Sequence, residues 1–534
     1  MIAMSYRITE GDIDSAGGAT RNLKEQLAKI GVDAAILRRA MIAAYEAEMN
    51  VVIHARTGTL WARLDEGRLD LEVSDEGPGI PDVELAMREG WSTASETARQ
   101  MGFGAGMGLP NIRRNSDLFE IETRVGKGTR IRSTIFLRQE KAPLEASAPP
   151  KAFLSVDPGR CRSCRRCLTA CPTLALRLRT EGPVLLEHLC VGCAVCFGEC
   201  PDGVFGIRDG EAPVDRLSDV PRDAVLVVPR GFLSGFPGRI PPLRVYAALK
   251  HLGFSEVRLA EEWARAIRKE ARERASSSRG PAPLIPPLCP AVVALVESRF
   301  PSLIPQMAPF LSPMEAAGEE FPLRPVVLAA ACPSQFVAAG RSSITGRLTV
   351  VSPGRLANAL RLLLSSEQAG QGEVLAMDVP EPPRSRDELL VTGARHVLRT
   401  LAEAEAGALE ETSLLELFLC DGGCDGSPYL SADPFLSSQR WQHGVADAPG
   451  AESSGQQAAG AIRRLRPFAP RPGVRLDADM AEAIRKLTRI DALKATLPGR
   501  DCAECGSPTC TAFAEDVVMG RAAADGCPHA KEKK

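Results

Sequence analysis

Sixteen cysteines are the side chains of this chain best suited to do chemistry, and they are grouped. None occurs before Cys161; eight lie within 161–200, four within 289–424 and four within 502–527. The N-terminal segment MIAMSYRITEGDID has no basic region followed by an apolar stretch, so we expect no signal peptide and a cytoplasmic location. Because disulfides are rare in a reducing cytoplasm, the grouped thiols indicate metal binding.

The first eight cysteines form two copies of the motif C-x2-C-x2-C-x3-C-P, in CRSCRRCLTACP and CVGCAVCFGECP. In this register three thiolates of one copy hold one iron–sulfur cube, and the fourth ligates the other cube. The doubled register argues against two zinc sites. It predicts two [4Fe-4S] clusters, one on Cys161, Cys164, Cys167 and Cys200 and one on Cys171, Cys190, Cys193 and Cys196. The segment 153–212 resembles bacterial two-cluster ferredoxins, which move electrons one at a time.

The next four cysteines lie in PPLCPAVVALVESRFPSLIP, LAAACPSQF and LFLCDGGCDGSPYL. Two of them follow apolar runs, which is typical of strands that each deliver one thiol in an α/β domain. The pattern over 218–445 resembles the large-subunit catalytic domain of [FeFe]-hydrogenases. The resemblance implies a [4Fe-4S] cubane on Cys289, Cys332, Cys420 and Cys424, with Cys424 as the thiolate that would bridge to a diiron unit.

Three positions around this cage depart from the family. Active hydrogenases carry a proton-relay cysteine, a cyanide-binding lysine and a methionine where this chain has Leu288, Gln335 and Phe418. A leucine at the relay position cannot carry a proton. The sequence therefore predicts the cubane, leaves the diiron unit open, and predicts that fast hydrogen turnover is lost.

The last four cysteines are spaced C-x2-C-x4-C-x16-C, after an amphipathic stretch that predicts a helix. The segment 476–534 resembles the small four-cysteine iron–sulfur domain of electron-transport subunits and of a corrinoid iron–sulfur protein. The resemblance implies a further [4Fe-4S] cluster on Cys502, Cys505, Cys510 and Cys527, with zinc as the alternative. The Pro/Ala/Ser/Gly-rich stretch 446–475 before it predicts a linker.

The first 140 residues contain no cysteine but four elements typical of a nucleotide site. Residues 34–54 are apolar at helical spacing, and Glu46 and Asn50 share one face because they are four residues apart. In isolation, that pair would indicate a solvated face. The strand-like LDLEVSD ends at Asp75, MGFGAGMGLPNIRR has four glycines in seven residues, and FEIETRVGKGTRIRSTIFL predicts a hairpin. Clustered glycines let backbone N–H groups approach phosphate oxygens.

This order over 1–140 resembles the GHKL ATPase fold, and more narrowly the serine/threonine kinases that phosphorylate anti-sigma-factor antagonists. The resemblance implies that Glu46 is the catalytic base and that ATP and Mg²⁺ bind beside it. Asn50 would hold Mg²⁺ and Asp75 the adenine amino group. The remaining implied contacts are Gly77 and Gly79 at the adenine floor, Gly104, Gly106 and Gly108 around the phosphates, and Thr129 beside the base. No histidine stands near Glu46 where a sensor histidine kinase would use one.

The whole chain is predicted to be an α/β and α+β multidomain protein: a GHKL α/β sandwich, a ferredoxin-like two-cluster module, an α/β hydrogenase-like domain and a small helical Fe–S domain. Its 65 basic and 67 acidic residues argue against nucleic acid as a partner, and no apolar run is long enough to span a membrane. The fusion favours a redox or hydrogen sensor whose kinase domain acts on a partner protein. The alternatives are an electron-transfer subunit with ATP-gated flow and a binding module without turnover. A hydrogenase or ferredoxin would be the redox partner, and the sequence leaves open whether two copies of the chain form a homodimer.

Overall fold

The computed structural model describes most of the chain. The described residues are 2–9, 17–55, 57–65, 67–94, 106–137, 154–207, 223–236, 240–277, 282–341, 348–365, 384–409, 411–430, 433–445, 462–464, 467–471 and 475–530. Within these ranges, no helix combines the length and the apolar character needed to cross a membrane.

The N-terminal part is a five-stranded antiparallel sheet packed on helices. The chain runs β1 (Ile2–Thr9), α1 (Gly18–Ile30), α2 (Ala34–His54), β2 (Thr57–Leu64), β3 (Arg68–Asp75), α3 (Val83–Ala86), α4 (Gly108–Arg114), β4 (Leu118–Arg124) and β5 (Gly128–Phe136). The strand order is β1-β2-β3-β5-β4. β2 and β3 bury alternate residues because successive side chains of a strand point to opposite faces. This is the α/β sandwich that the resemblance implies.

The helix that carries Glu46 and Asn50 begins and ends where the periodicity predicts. Asp33 caps it, since its Oδ1 accepts a hydrogen bond from the Ala35 backbone N–H at 2.8 Å. Four alanines are buried along its length, and their small side chains let α2 lie close to its neighbours: Ala40, Ala43, Ala44 and Ala47. The predicted strand likewise ends at Asp75, and β4 pairs with β5 as the predicted hairpin.

The ferredoxin-like part is small and internally duplicated. Its elements are β6 (Leu154–Val156), α5 (Arg166–Ala170), β7 (Leu176–Arg179), β8 (Gly182–Leu185), α6 (Val195–Glu199) and β9 (Phe205–Ile207). β6 pairs with β9, and β7 pairs with β8 as a hairpin. Each short helix follows a residue in the left-handed region, Arg165 with φ 64° and Ala194 with φ 62°. These equivalent kinks bend both cysteine loops in the same way.

The hydrogenase-like part contains a four-stranded parallel sheet, in the order β11-β10-β12-β13, and a separate parallel pair. Its strands are β10 (Val225–Val228), β11 (Glu256–Leu259), β12 (Val326–Ala329), β13 (Leu348–Val351), β14 (Glu388–Thr392) and β15 (Leu414–Phe418). Its helices are α7 (Arg230–Ser234), α8 (Pro242–Lys250), α9 (Ala260–Ser276), α10 (Pro290–Arg299), α11 (Pro313–Glu320), α12 (Pro333–Arg341), α13 (Pro353–Ser365), α14 (Ala394–Glu405) and α15 (Pro434–Val445). Every residue of β10 and β12 is buried, as expected for parallel strands covered on both faces.

The C-terminal part consists of α16 (Met480–Lys494) and α17 (Cys510–Val518), as the sequence predicts. Both helices bury their apolar faces in the core of the N-terminal domain, where Leu487 and Phe513 join Leu27 of α1. The two ends of the chain therefore share one hydrophobic core.

Residues 462–464 and 467–471 of the predicted linker pack on the hydrogenase-like part, whereas Arg475 lies beside Gly31 of the N-terminal domain. Ile462 and Phe468 are buried in that core. Arg464 and Arg471 pair with Glu315 of α11 and Glu297 of α10. The composition predicted that this stretch lacks regular secondary structure, but it did not predict that the stretch packs against a folded domain.

Candidate functional site

The start of α4 brings Gly108 against the predicted catalytic pair on α2. A Cβ added to Gly108 would lie 3.1 Å from Asn50 Oδ1 and 3.3 Å from Glu46 Oε2. On the same helix, Asn111 Nδ2 donates a hydrogen bond to Glu46 Oε1 at 2.7 Å. Sequence reasoning missed Asn111; its place one turn after the last glycine of the box was the available signal. The absent side chain at Gly108 leaves the space beside both polar groups that a phosphate would need.

Asp75 lies at the second predicted part of the nucleotide site. Its Oδ1 accepts hydrogen bonds from the backbone N–H of Gly77 at 2.7 Å and of Thr129 at 3.2 Å. Gly79 has φ +72°, and a Cβ there would lie 2.4 Å from the Arg124 carbonyl oxygen. The backbone therefore closes tightly around this carboxylate and orients it.

The glycine box is described only in part. Gly106 has φ +76°, and a Cβ there would lie 2.5 Å from the Trp91 backbone nitrogen, so only glycine fits. Gly104 lies outside the described residues. The carboxylate and amide oxygens of Glu46 and Asn50 are hard donors of the kind that Mg²⁺ prefers, so the described donors fit a Mg–nucleotide.

One set of ferredoxin-type cysteines encloses a common space. Cys161, Cys164 and Cys167 of the first copy and Cys200 of the second line one cavity of about 310 Å³. The geometry therefore brings the fourth thiol across from the other copy, as the motif predicts. A cavity bounded by four thiols fits a cluster.

The second ferredoxin set is more deeply enclosed. Burial raises the pKa of Cys190 to about 11 and the pKa of Cys193 well above its ordinary value. Backbone N–H groups point at sulfur in both copies, from Ser163 to Cys161 Sγ and from Gly192 to Cys190 Sγ, each at 3.4 Å. Thiols buried in this way become thiolates only beside a metal charge, and the N–H groups would stabilise the ligated sulfurs.

The hydrogenase-type cysteines converge behind two strand ends. Cys332 follows β12, Cys420 follows β15, and Cys289 precedes α10. Burial raises the pKa of Cys332 to about 11, and the nearby Cys289 adds to the effect. Leu288 and Phe418 are buried, and Gln335 Oε1 accepts a hydrogen bond from the Ala331 N–H at 2.6 Å. The Gln335 carboxamide is thus bound to its own loop.

A buried charged group beside this cage had no signal in the sequence. Asp425 accepts from Arg230 Nε at 2.8 Å and from Arg230 Nη2 at 2.6 Å. Glu261 accepts from the Arg230 backbone N–H at 3.1 Å. Burial raises the pKa of Glu261 to about 7, although Arg230 opposes the shift. The three residues come from distant segments, which is why spacing did not reveal them.

The last set lies at the C-terminal end. Cys502 is exposed, whereas Cys505, Cys510 and Cys527 are half-buried. His529 Nε2 lies 2.8 Å from Glu504 Oε2, and ligand atoms of both lie within 4.8 Å of Cys502 Sγ. Sequence reasoning assigned no histidine to a metal site, so this proximity is an addition from the fold.

The four cysteine sets follow one another through direct contacts. Ala503 of the last set packs in one small core with Cys167 and Leu168 of the first ferredoxin set. The carbonyl oxygen of Cys193, in the second ferredoxin set, lies 4.0 Å from Cys420 Sγ in the hydrogenase-type cage. The C-terminal set therefore lies against the ferredoxin-like core, and the second ferredoxin set lies against the hydrogenase-type cage.

A buried ionic lock joins the C-terminal and ferredoxin-like parts. The carboxylate of Asp516 is fully buried and binds Arg177, Arg179 and Arg521. The Leu178 N–H donates to the Gly506 carbonyl oxygen at 2.7 Å beside it. Removal of a carboxylate among three cations would leave buried charge uncompensated, so this contact holds the two parts in register.

Four protein families match separate parts of the chain. Residues 36–140 match the histidine kinase-, DNA gyrase B- and HSP90-like ATPases, and residues 154–177 match the 4Fe-4S binding domain. Residues 231–321 match the C-terminal domain of the iron only hydrogenase large subunit, and residues 497–529 match a family described by its Fe-S cluster. These matches confirm the predicted fusion.

Individual proteins match shorter or more distant parts. The serine/threonine-protein kinase RsbT of Bacillus subtilis (strain 168) is 33% identical over 135 residues, which are 24% of this chain and 93% of that protein. An anti-sigma F factor of Caldanaerobacter subterraneus subsp. tengcongensis is 36% identical over 101 residues, 18% of this chain and 67% of that protein. A variant of the [FeFe]-hydrogenase HydA1 from Chlamydomonas reinhardtii aligns over 48% of this chain and 97% of its own, with a TM-score of 0.38 and 16% identity.

Proposed function

The chain belongs, through its N-terminal domain, to the family of the serine/threonine-protein kinase RsbT, and we propose that this domain phosphorylates a serine or threonine of a partner protein under the control of iron–sulfur clusters. The clusters report cellular redox state, or hydrogen if a diiron unit is present. A hydrogenase or ferredoxin exchanges electrons with them.

Phosphoryl transfer depends mainly on positioning and on charge neutralisation. Glu46 would orient the attacking hydroxyl group and accept its proton, with Asn111 holding the carboxylate. Asn50 would hold Mg²⁺, which when bound neutralises phosphate charge. Asp75 would accept a hydrogen bond from the adenine amino group.

Each cysteine set would hold one [4Fe-4S] cluster, which supplies one-electron chemistry when bound. The sets are Cys161, Cys164, Cys167 and Cys200; Cys171, Cys190, Cys193 and Cys196; Cys289, Cys332, Cys420 and Cys424; and Cys502, Cys505, Cys510 and Cys527. The contacts of the ferredoxin-like part with the hydrogenase-like cage on one side and with the C-terminal part on the other support an electron path between these sites.

The core shared by the two ends of the chain is the observation that carries the proposal. Leu487 and Phe513 pack with α1 residues, and Lys29 of α1 pairs with Glu515 of α17 at 3.2 Å. The helices of the C-terminal part, which carries one cysteine set, therefore contact the helices that lie behind Glu46. Control of one site by another requires contacts that differ between two states, and we propose that the contacts of this core change with the state of the clusters.

The test is anaerobic phosphate transfer in two redox states. The purified chain is given γ-labelled ATP and candidate partner proteins, with the clusters oxidised or reduced. We expect labelled serine or threonine in amounts that differ between the states, and none with Glu46→Gln, which keeps nucleotide binding. Equal transfer in both states would contradict redox control, and absence of transfer would contradict the kinase.

A second candidate is an electron-transfer subunit in which ATP binding gates electron flow. It is favoured by the 4.0 Å contact between the Cys193 carbonyl oxygen and Cys420 Sγ, which joins two cluster sites directly. The rate of electron passage to a ferredoxin-type acceptor would then depend on ATP without protein phosphorylation. That pattern, in the same preparation, would replace the kinase proposal.

A further inference from the structure

Helix α1 inserts a buried lysine into the hydrogenase-like part. Lys24 forms an ion pair with Glu405 at the end of α14, and their side chains are only 13% and 6% exposed. Lys24 Nζ also lies 4.1 Å from the centre of the Phe300 ring. Burial lowers the pKa of Lys24 and raises the pKa of Glu405, and the pairing of the two opposes both shifts. The N-terminal domain is thus anchored to a distant part of the chain by desolvated charges.

The pair continues towards an iron–sulfur site. Ser302 Oγ donates to Glu405 Oε1, and Arg299 at the end of α10 donates from Nη1 to the Pro172 carbonyl oxygen. Pro172 directly follows the cluster cysteine Cys171. Burial lowers the pKa of Arg299, against the attraction of Glu25, Cys171 and Glu405. We name Lys24, Arg299, Ser302 and Glu405 the charge junction.

The N-terminal end of α1 is hydrogen-bonded to α2, the helix that carries Glu46 and Asn50. Glu48 of α2 is buried and accepts from the backbone N–H of Ala19 at 3.1 Å and of Thr20 at 2.9 Å, and from Thr20 Oγ1 at 2.7 Å. Glu48 stands between Glu46 and Asn50 in the sequence. A displacement of α1 therefore acts on the segment of α2 that carries both site residues.

We propose that the charge junction couples the reduction state of the cluster held by Cys171 to nucleotide binding at Glu46 and Asn50, by moving α1. One added electron makes the cluster more negative and strengthens its attraction for Arg299, which already donates to the Pro172 carbonyl oxygen, in competition with the attraction of Glu405. Interactions between charges are strong in a desolvated interior, so a single electron can change the balance. This inference rests on the proposed function, because it names the route of the regulation.

Coupling between two binding events is reciprocal. If reduction changes nucleotide affinity tenfold, then nucleotide must shift the midpoint potential of that cluster by 59 mV for one electron. The shift is measured by EPR-monitored potentiometry on the anaerobic full chain, with and without a non-hydrolysable ATP analogue. The responding cluster is identified as the signal that Cys171→Ser alters.

Two matched double variants test the route. Lys24→Met with Glu405→Gln removes the ion pair between Lys24 and Glu405, so neither of the two is left as an unpaired buried charge, and Arg299 remains as the one charged residue of the junction. Lys29→Met with Glu515→Gln removes a second ion pair between α1 and another part of the chain, the C-terminal part, together with the Lys29–Glu25 pair within α1. We expect the nucleotide-dependent shift of the cluster held by Cys171 to vanish in the first variant and to persist in the second, which removes a contact with the C-terminal part and not with the Cys171 site. A shift that survives the first, or that is lost only in the second, overturns the proposal.

A milder variant covers a failure to fold. Ser302→Ala removes one hydrogen bond to Glu405 and leaves every charge in place, and we expect a smaller shift. An unchanged shift in Ser302→Ala, or none in the unaltered chain, overturns the junction. Phosphate transfer to the partner protein is measured separately. If the potential shift depends on the junction but no phosphate is transferred, only the kinase proposal is contradicted. If phosphate transfer depends on the redox state but the potential shift does not depend on the junction, only the junction is contradicted.

Discussion

Asn111 Nδ2 lies 2.7 Å from Glu46 Oε1 and donates a hydrogen bond to it, across 65 positions of sequence. The bond ties the helix after the glycine box to the carboxylate proposed as the catalytic base. Because α4 begins at Gly108, any rearrangement of the box on nucleotide binding acts directly on that carboxylate. The proposed base and the helix that follows the glycine box are therefore directly linked.

Asn111→Leu should lower the rate of phosphate transfer about tenfold or more while nucleotide affinity changes little. A hydrogen bond to a carboxylate favours its ionised form, so the acid limb of the pH–rate profile should move to higher pH. Asn111→Asp should move it further, because a like charge is added. Asn115→Ala is the matched control, since Asn115 Nδ2 bonds only a backbone oxygen of the same helix, at 2.9 Å. An unchanged acid limb in both Asn111 variants would remove the positioning role.

Asp516→Asn should destabilise the protein by about 3–5 kcal/mol, because Arg177, Arg179 and Arg521 would lose a buried counter-charge. Thermal unfolding monitored by circular dichroism measures the change. Glu403→Gln, which breaks the exposed pair with Arg399, should cost at most about 1 kcal/mol. Equal effects of the two variants would mean that the lock between the C-terminal and ferredoxin-like parts is dispensable.

Glu261 should make stability fall as pH rises through neutrality. Its pKa is raised from the ordinary 4.5 to about 7, mainly by burial, so the neutral form is favoured in the folded state. The corresponding stabilisation is complete below about pH 4.5 and is lost as pH rises through about 7, by up to about 3 kcal/mol. Urea unfolding between these pH values should show a flatter dependence in Glu261→Gln. Glu262→Gln, on the same helix and paired with Arg258, should lower stability and shows what the loss of a neighbouring carboxylate costs.

Iron analysis of the anaerobic chain should give about 16 Fe per chain, as four cubanes require, and about 18 only if a diiron unit is present. Cys332→Ser should lower the count by about four if Cys332 holds the cubane of the hydrogenase-like part. His529→Ala should leave the count unchanged if the last cluster has four thiolate ligands. A content of about 12 Fe and one zinc per chain would show that the C-terminal set is a zinc site.

The sequence by itself determined what depends on residues near one another along the chain. The doubled cysteine motif, the four-residue spacing of Glu46 and Asn50, and the strand that ends at Asp75 are all local patterns. A helix of 3.6 residues per turn or a strand with alternating faces converts such spacing into geometry without further information. The bounds of α2, the β4–β5 hairpin and the presence of a helix before the last four cysteines followed in the same way.

Only the tertiary structure decided which of these parts touch. Asn111 meets Glu46, Asp516 meets Arg177, and Lys24 meets Glu405 across 65, 339 and 381 positions. The burial of Phe468 within a stretch whose composition predicts a linker is of the same kind. The sequence shows that an apolar face or a charged side chain needs a partner, but it does not show which partner. Burial and ion pairing do not depend on sequence separation, so the partner is set by the surfaces that the fold brings together. The contacts among the cysteine sets, and the packing of the C-terminal set against the N-terminal domain, belong to that second category.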